Sequence, residues 1–228
     1  MRISLRIVLF LIPLLLSSCG DDDGYVYPSV KLEFLTAEAG ADGSLSYLIT
    51  DSGEQMQVAE DLSLTKVDAN SMVRVVANYE TLVDTLSTTG MQSVKIYALL
   101  QTISPEPLPA ANFGDSIKTD PVEVQSMWMG RDYLNMTLLI KTKNGQHRFH
   151  FVEDWVSLDA ITGRRSVYLS LYHDAGSDSE AFTKRAYLSV PLSKYAGTEG
   201  AGSLICFSVN TYDEGVKTYC FDYTPSRN

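Results

Sequence analysis

From residue 29 onward, apolar and polar positions alternate with a period of two, the mark of strands buried on one face. Val30, Leu32 and Phe34 alternate with Lys31 and Glu33; a turn follows at Gly40-Ala41-Asp42-Gly43, and Leu45, Tyr47 and Ile49 alternate again until Asp51-Ser52-Gly53. Strands are also expected over residues 72–79 and 94–101, which makes about five in this portion. That number suits a small closed barrel, whose closure hides the sheet edges. No window sustains a helical period.

Residues 105–121 interrupt the pattern with Pro105, Pro107, Pro109 and Pro121. Proline locks φ and lacks an N–H, so this stretch reads as a stiff connector that cannot pair as an inner strand. A second β unit is expected over residues 122–228. Asn144-Gly145 lies between two alternating runs and predicts a hairpin with a turn of positive φ. With Lys143 opposite Gln146, Ile140 pairs with Phe149, Leu138 with Phe151 and Leu134 with Trp155, all on one buried face. Strands through Val167, Leu169 and Leu171 and through Ala186, Leu188 and Val190, with a hairpin over residues 203–224, bring the expected number to about six. The pattern is that of an antiparallel sandwich. Only residues 123–128 and 178–184 allow a short helical turn.

The first 28 residues are of another kind. Arg2 and Arg6 precede a nearly unbroken apolar run over residues 7–16, and Leu16-Ser17-Ser18-Cys19 resembles a lipobox. The run is too short to span a bilayer, which takes roughly 20 apolar residues. Residues 1–18 are expected to be a lipoprotein signal peptide, with Cys19 acylated by palmitate or a similar chain; a plain secretory signal with a chance cysteine is the alternative. Asp21, Asp22 and Asp23 follow in an acidic tether over residues 19–28. They are similar to the export signals of surface lipoproteins in some Gram-negative anaerobes, although a merely solvated spacer would look the same. The expected address is the outer membrane, lipid-anchored and facing outward.

With 45% hydrophobic and 20% charged residues, the chain has the composition of a globular protein able to bury a core. Its net charge is −10, which becomes −12 once the two leader arginines are removed. The acidic excess falls almost wholly before Lys118. Nucleic-acid binding, which depends on Lys and Arg displacing counterions, is thereby disfavoured.

Cys206 and Cys220 remain as a pair in an exported chain. A hairpin turning near Asp213-Glu214-Gly215 sets them opposite each other, on the face shared with Ser208, Thr218 and Asp222. A cross-strand disulfide is the first reading, and two reduced core thiols are the second, because a one-residue slip exchanges the faces.

Several segments together resemble the NigD-like lipoproteins: Val30-Lys31-Leu32-Glu33-Phe34-Leu35-Thr36, Tyr47-Leu48-Ile49-Thr50-Asp51-Ser52-Gly53-Glu54, Arg74-Val75-Val76-Ala77-Asn78-Tyr79-Glu80, Val94-Lys95-Ile96-Tyr97 and Gly130-Arg131-Asp132-Tyr133-Leu134-Asn135. The resemblance covers nearly all of the mature chain and implies an all-β protein. Its first domain, over residues 29–104, would be an OB-like five-stranded barrel, and its second an antiparallel β-sandwich. It also suggests a bacteriocin-associated, immunity-like or accessory role, and it transfers no functional residue.

Catalytic signatures do not emerge. The chain has no Gly-x-Ser-x-Gly, P-loop, His-Glu-x-x-His or Cys-x-x-Cys motif, and Gly197-Thr198-Glu199-Gly200-Ala201-Gly202 has the wrong spacing for a dinucleotide loop. On a strand, His147 and His150 would point to opposite faces, and His173 beside Asp174 reads as a local polar contact. The same alternation separates Glu153 from Asp154. Asp174, Asp178 and Glu180 form an acidic loop without the ligand series of a calcium site. No residue pattern points to a cofactor. Tyr168 and Tyr172 share a strand face and are the candidate contacts for a protein or glycan ligand, against the plainer alternative of packing. The expected function is that of a non-enzymatic binding module held at the membrane by its acyl anchor. The alternative is a structural accessory subunit of a membrane-associated complex.

Overall fold

The computed structural model describes residues 29–86, 90–114, 116–197 and 201–226. Cys19, Asp21, Asp22 and Asp23, with the whole expected leader, lie outside the described residues. Strands β1 (Val30–Ala39), β2 (Leu45–Ile49), β3 (Gln55–Asp61), β4 (Met72–Leu86) and β5 (Gln92–Gln101) close into a barrel in the order β1-β2-β3-β5-β4. The β3–β5 pairing is parallel and the others are antiparallel, an OB-like arrangement. Leu35, Ala37, Leu48, Met56, Val75, Ala77, Val94 and Ile96 fill the interior. In β1 this is the face opposite to the expected one, since Val30 and Leu32 are exposed, and Tyr47 of β2 likewise stays out of this core while Leu48 enters it. Each large apolar side chain so buried contributes about 2 kcal/mol. The strand that the pattern did not single out is β3, whose inward Met56 and Val58 sit among glutamines and acids.

The second body has eight strands: β6 (Leu108–Pro109), β7 (Glu123–Gly130), β8 (Tyr133–Thr142), β9 (Arg148–Leu158), β10 (Arg165–Asp174), β11 (Phe182–Pro191), β12 (Ser203–Thr211) and β13 (Gly215–Tyr223). One sheet runs β13-β12-β10-β9-β6 and the other β11-β8-β7. They enclose a core built from Leu134, Met136, Leu138, Phe151, Leu169, Leu188 and Phe207, among others. Two of the pairings, β10–β12 and β6–β9, are parallel.

Several expectations are corrected here. The proline-rich stretch, expected as a stiff connector that pairs as no inner strand, also contributes β6, which adds to the edge of one sheet beside β9, a position where proline is tolerated. Ile103 bridges Leu188, Thr119 bridges His173 and Val122 bridges Thr211, so the stretch is laced to the sandwich. Residues 123–128 and 182–184, weighed for helical turns, are strand instead.

The Asn144-Gly145 hairpin is not formed. β8 pairs with β7 and β11, whereas β9 pairs with β10 and β6, so the turn carries the chain from one sheet to the other. Leu138 and Ile140 of one sheet and Phe149 and Phe151 of the other pack into the same core instead of side by side. Neither Asn144 nor Gly145 has positive φ. Glycine is needed at 145 for space, because a Cβ there would lie 2.5 Å from the Asp178 side chain.

The last hairpin matches its expected register throughout, with Cys206 opposite Cys220 and Ser208 bonded to Thr218 at 2.9 Å. The cysteines form a disulfide across a Cα separation of 4.1 Å. Cys206 is buried and Cys220 is exposed.

A polar knot joins the barrel to the sandwich. Arg74 of β4 is 4% exposed, and its guanidinium is ion-paired with Asp51, which follows β2. The same group donates to Asn135 Oδ1 of β8 at 3.0 Å and lies 4.5 Å over the Tyr133 ring. Asn135 returns a bond to Asp51 at 2.9 Å and accepts one from Ser189 of β11 at 2.7 Å. A Cβ at Gly130 would fall 1.9 Å from Asp51 Oδ2, so this carboxylate needs glycine beneath it.

Removing one partner of such a pair strands a buried charge. Asp51→Ala is expected to lower stability by about 3 kcal/mol in urea unfolding. Cys206→Ser, which opens a loop closed over a sequence separation of 14, is expected to cost about 3 kcal/mol in the same measurement.

Candidate functional site

Glu153 of β9 pairs with Leu169 and Trp155 with Tyr168, leaving Asp154 as an extra residue between them. This bulge shifts the strand by one residue. Trp155, expected in the core, is therefore turned outward and is 56% exposed. Its ring lies 5.3 Å from that of Tyr168, tilted by 36°. Tyr168 pairs in turn with Cys206, and Cys206 with Cys220. One row across four strands thus carries an exposed Trp–Tyr pair and the disulfide beside it. Asp154 faces outward next to this row and accepts a bond from Ser170 Oγ at 3.1 Å. Partial burial raises its carboxyl above the usual carboxylate range, against the lowering effect of the Ser170 bond.

Of the two candidate ligand contacts, Tyr168 is exposed. Tyr172 is half-buried under Phe113, whose ring lies 5.2 Å away. His150 also packs on Phe113, at 5.3 Å. Glu153 points inward and accepts a 2.6 Å bond from Tyr195, with Lys194 at 3.0 Å; the two acids lie on opposite faces, as alternation required. Burial and the bond to Glu153 push the Tyr195 hydroxyl well above the usual phenol range.

A second concavity, of about 710 Å³, opens between the barrel and the three-stranded sheet. Its walls include Leu32, Phe34, Trp128 and Tyr187, with Glu33 and Glu54 nearby. Phe34 stacks edge-on against Trp128 at 5.0 Å and against Tyr187 at 5.8 Å, which makes these aromatics part of the joint between the bodies.

Sequence reading missed the meeting of His147 with His173. His147 stands before β9, His173 is the next-to-last residue of β10, and their ring nitrogens are 2.8 Å apart. Asp178 of the acidic loop joins them through His147 at 3.3 Å. Asp174 is paired instead with Arg148, and Glu180 with Lys141. No signal along the chain gives a contact between residues 26 apart on two crossing segments. Among the described residues, no group of His, Cys, Asp and Glu side chains is placed to hold a metal ion.

The fold and its surfaces define a two-body all-β protein with an exposed aromatic pair beside a disulfide. The profile of the NigD-like C-terminal β-sandwich domain matches residues 104–223. A NigD-like immunity protein from Bacteroides caccae ATCC 43185 is 43% identical, covering 89% of this chain and 100% of that one, with a TM-score of 0.73. The chain belongs to the NigD-like family. The fold is shared more widely. A protein of unknown function from Bacteroides vulgatus ATCC 8482 matches at 23% identity over 86% of this chain and 91% of that one, with a TM-score of 0.65. A Bacteroides fragilis NCTC 9343 protein provisionally described as a lipoprotein matches at 11% identity over 86% and 98%, with a TM-score of 0.53. A search of curated proteins finds no match.

Because Trp155 is outside the core, Trp155→Ala is expected to change stability by less than about 1 kcal/mol. Phe151→Ala, inside it, is expected to cost about 3–5 kcal/mol. Urea unfolding of the two variants checks the phase of the bulge.

Proposed function

We propose that this protein is a lipoprotein anchored through Cys19 to the outer membrane and facing outward, where it works by contact and not by turnover. The observation that carries this reading is the Trp155–Tyr168 pair. Large aromatic side chains held on a rigid sheet give contact area at low entropic cost, and such residues dominate the energetics of binding surfaces. The adjoining disulfide fixes the backbone beneath them. The polar groups beside the pair, Asp154 and Ser170, suit a protein or glycan partner.

An immunity-like, bacteriocin-associated role is supported by the 43% identity to a NigD-like immunity protein. A contact mechanism also fits a catalytic-looking constellation among the described residues: the Asp178–His147–His173 run ends on the backbone carbonyl of Asp120, not on a nucleophile. For the anchor, the support is the lipobox, together with the fact that no helix among the described residues is long and apolar enough to cross a membrane.

The accessory-subunit reading draws on a different feature. β13 ends its sheet, with Val216 71% exposed, and such an edge can accept a strand from another chain.

Two experiments test the proposal. Radioactive palmitate is expected to label the wild type and not Cys19→Ala, which should leave the membrane fraction; an unlabelled wild type would remove the anchor. Pull-down from intact cells is expected to recover a partner whose yield falls at least tenfold with the Trp155→Ala, Tyr168→Ala double variant. Equal recovery would dismiss the aromatic row. A stoichiometric membrane complex that survives the double variant would select the accessory reading.

A further inference from the structure

Two buried imidazoles lie at one end of the sandwich in a chain of three hydrogen bonds. His147 Nε2 meets Asp178 Oδ2 at 3.3 Å, His147 Nδ1 meets His173 Nε2 at 2.8 Å, and His173 Nδ1 meets the Asp120 carbonyl at 2.8 Å. The side chains of His147 and Asp178 are 4% and 6% exposed, and His173 is 1% exposed. The rings of His173 and Phe149 stack in parallel at 4.5 Å.

Both ends of this chain are acceptors. A carbonyl oxygen cannot donate, and Asp178 is ionised: its carboxyl is held far below the usual range, chiefly by the Thr142 hydroxyl, with the amides of Asn144, Lys143 and Gly145 adding to the effect. The two outer bonds therefore each need a proton on the histidine nitrogen, and the middle bond needs one proton between the rings. That makes three protons on two imidazoles, whereas two neutral rings carry only two. We infer that the His147–His173 pair is a binding site for one structural proton, held as a shared imidazolium and neutralised by Asp178.

The charges around the pair agree with a single positive charge. From the loop after β10 come Asp178 and Glu180, the latter paired with Lys141 of β8. Asp174 at the end of β10 is paired with Arg148 of β9. The stretch before β7 brings Lys118, whose carbonyl accepts from the His173 amide at 3.0 Å, and Asp120, whose carboxylate is bonded to the Ala175 amide at 2.7 Å. Lys143 follows β8, and Lys184 and Arg185 stand on β11, in the wall of the cavity that His147 also lines. Asp178 is the carboxylate in contact with the rings. Burial holds His173 below the usual histidine range, so a fourth proton is disfavoured.

The proton ties three segments together: the crossing loop before β9, the loop after β10 and the stretch before β7. Its loss removes one bond of the chain, while a further proton sets two donors face to face at the middle bond. Linkage then gives opposite slopes on either side of neutrality. Above the ordinary histidine pKa of about 6.5, the folded pair holds one proton more than the unfolded chain, and stability falls as pH rises. Below it, the unfolded chain holds two protons against one, and stability falls as pH drops.

The test is nitrogen-15 NMR of the histidine rings in the full chain. At pH 7.5, where an ordinary histidine is about 90% neutral, the expected result is one imidazolium-type signal, shared between His147 and His173. Two neutral rings at that pH would overturn the proposal. Urea unfolding between pH 5 and 9 is expected to show the unfolding constant smallest near pH 6.5, rising by up to tenfold per pH unit on either side. His173→Gln is expected to remove this double slope. A variant that folds and keeps the wild-type pH profile would also overturn the proposal, and if the variant fails to fold, the ring signals of the wild type decide alone.

Discussion

A guanidinium taken out of water has to be met by charge and hydrogen bonds of comparable strength, because its desolvation costs several kcal/mol. Arg74 imposes that demand at the junction of the two bodies. Its counter-charge comes from a turn of the barrel, its amide partner from β8 and the Ser189 hydroxyl behind that amide from β11. Three segments far apart in sequence are thus fixed around one side chain. The neighbouring aromatic contacts then follow from the distance and angle so set: Phe34 enters between Trp128 and Tyr187, and a groove is left open between barrel and sheet.

How much could be seen beforehand depended on the range of the interaction. The hairpin over β12 and β13 was legible residue by residue, since a short turn and strict alternation leave a single register. The inward faces of β8 and β10 were legible for the same local reason, whereas β1 turns Leu35 and Ala37 inward and leaves Val30 and Leu32 exposed. The partner of β8 was not legible. A strand's alternation says which side chains are buried but not whether Leu138 meets Phe151 beside it or across a core, and both arrangements bury the same atoms.

The exposed aromatic row was only half legible. Tyr168 could be placed on an outward face, but its companion Trp155 was assigned to the core because one inserted residue, Asp154, inverts the phase midway along β9. A bulge carries almost no local signature. The histidine pair was hidden for a related reason, since His147 leaves the strand pattern to cross between sheets. The row of Trp155, Tyr168 and the disulfide and the buried proton site lie on different parts of the sandwich. One is rigid and open to solvent; the other is closed and sensitive to acidity.

The knot at Arg74 also bears on the order in which the chain completes its fold. A polypeptide that emerges amino end first has all five barrel strands available once residue 101 is out, well before Asn135 and Ser189 arrive. Until then, the guanidinium has Asp51 and Thr36 but lacks its amide partner and the ring of Tyr133. An early barrel is accordingly a provisional structure. Completion of the downstream sheets turns it into a permanent one, so a prematurely terminated product would carry its own mark for degradation.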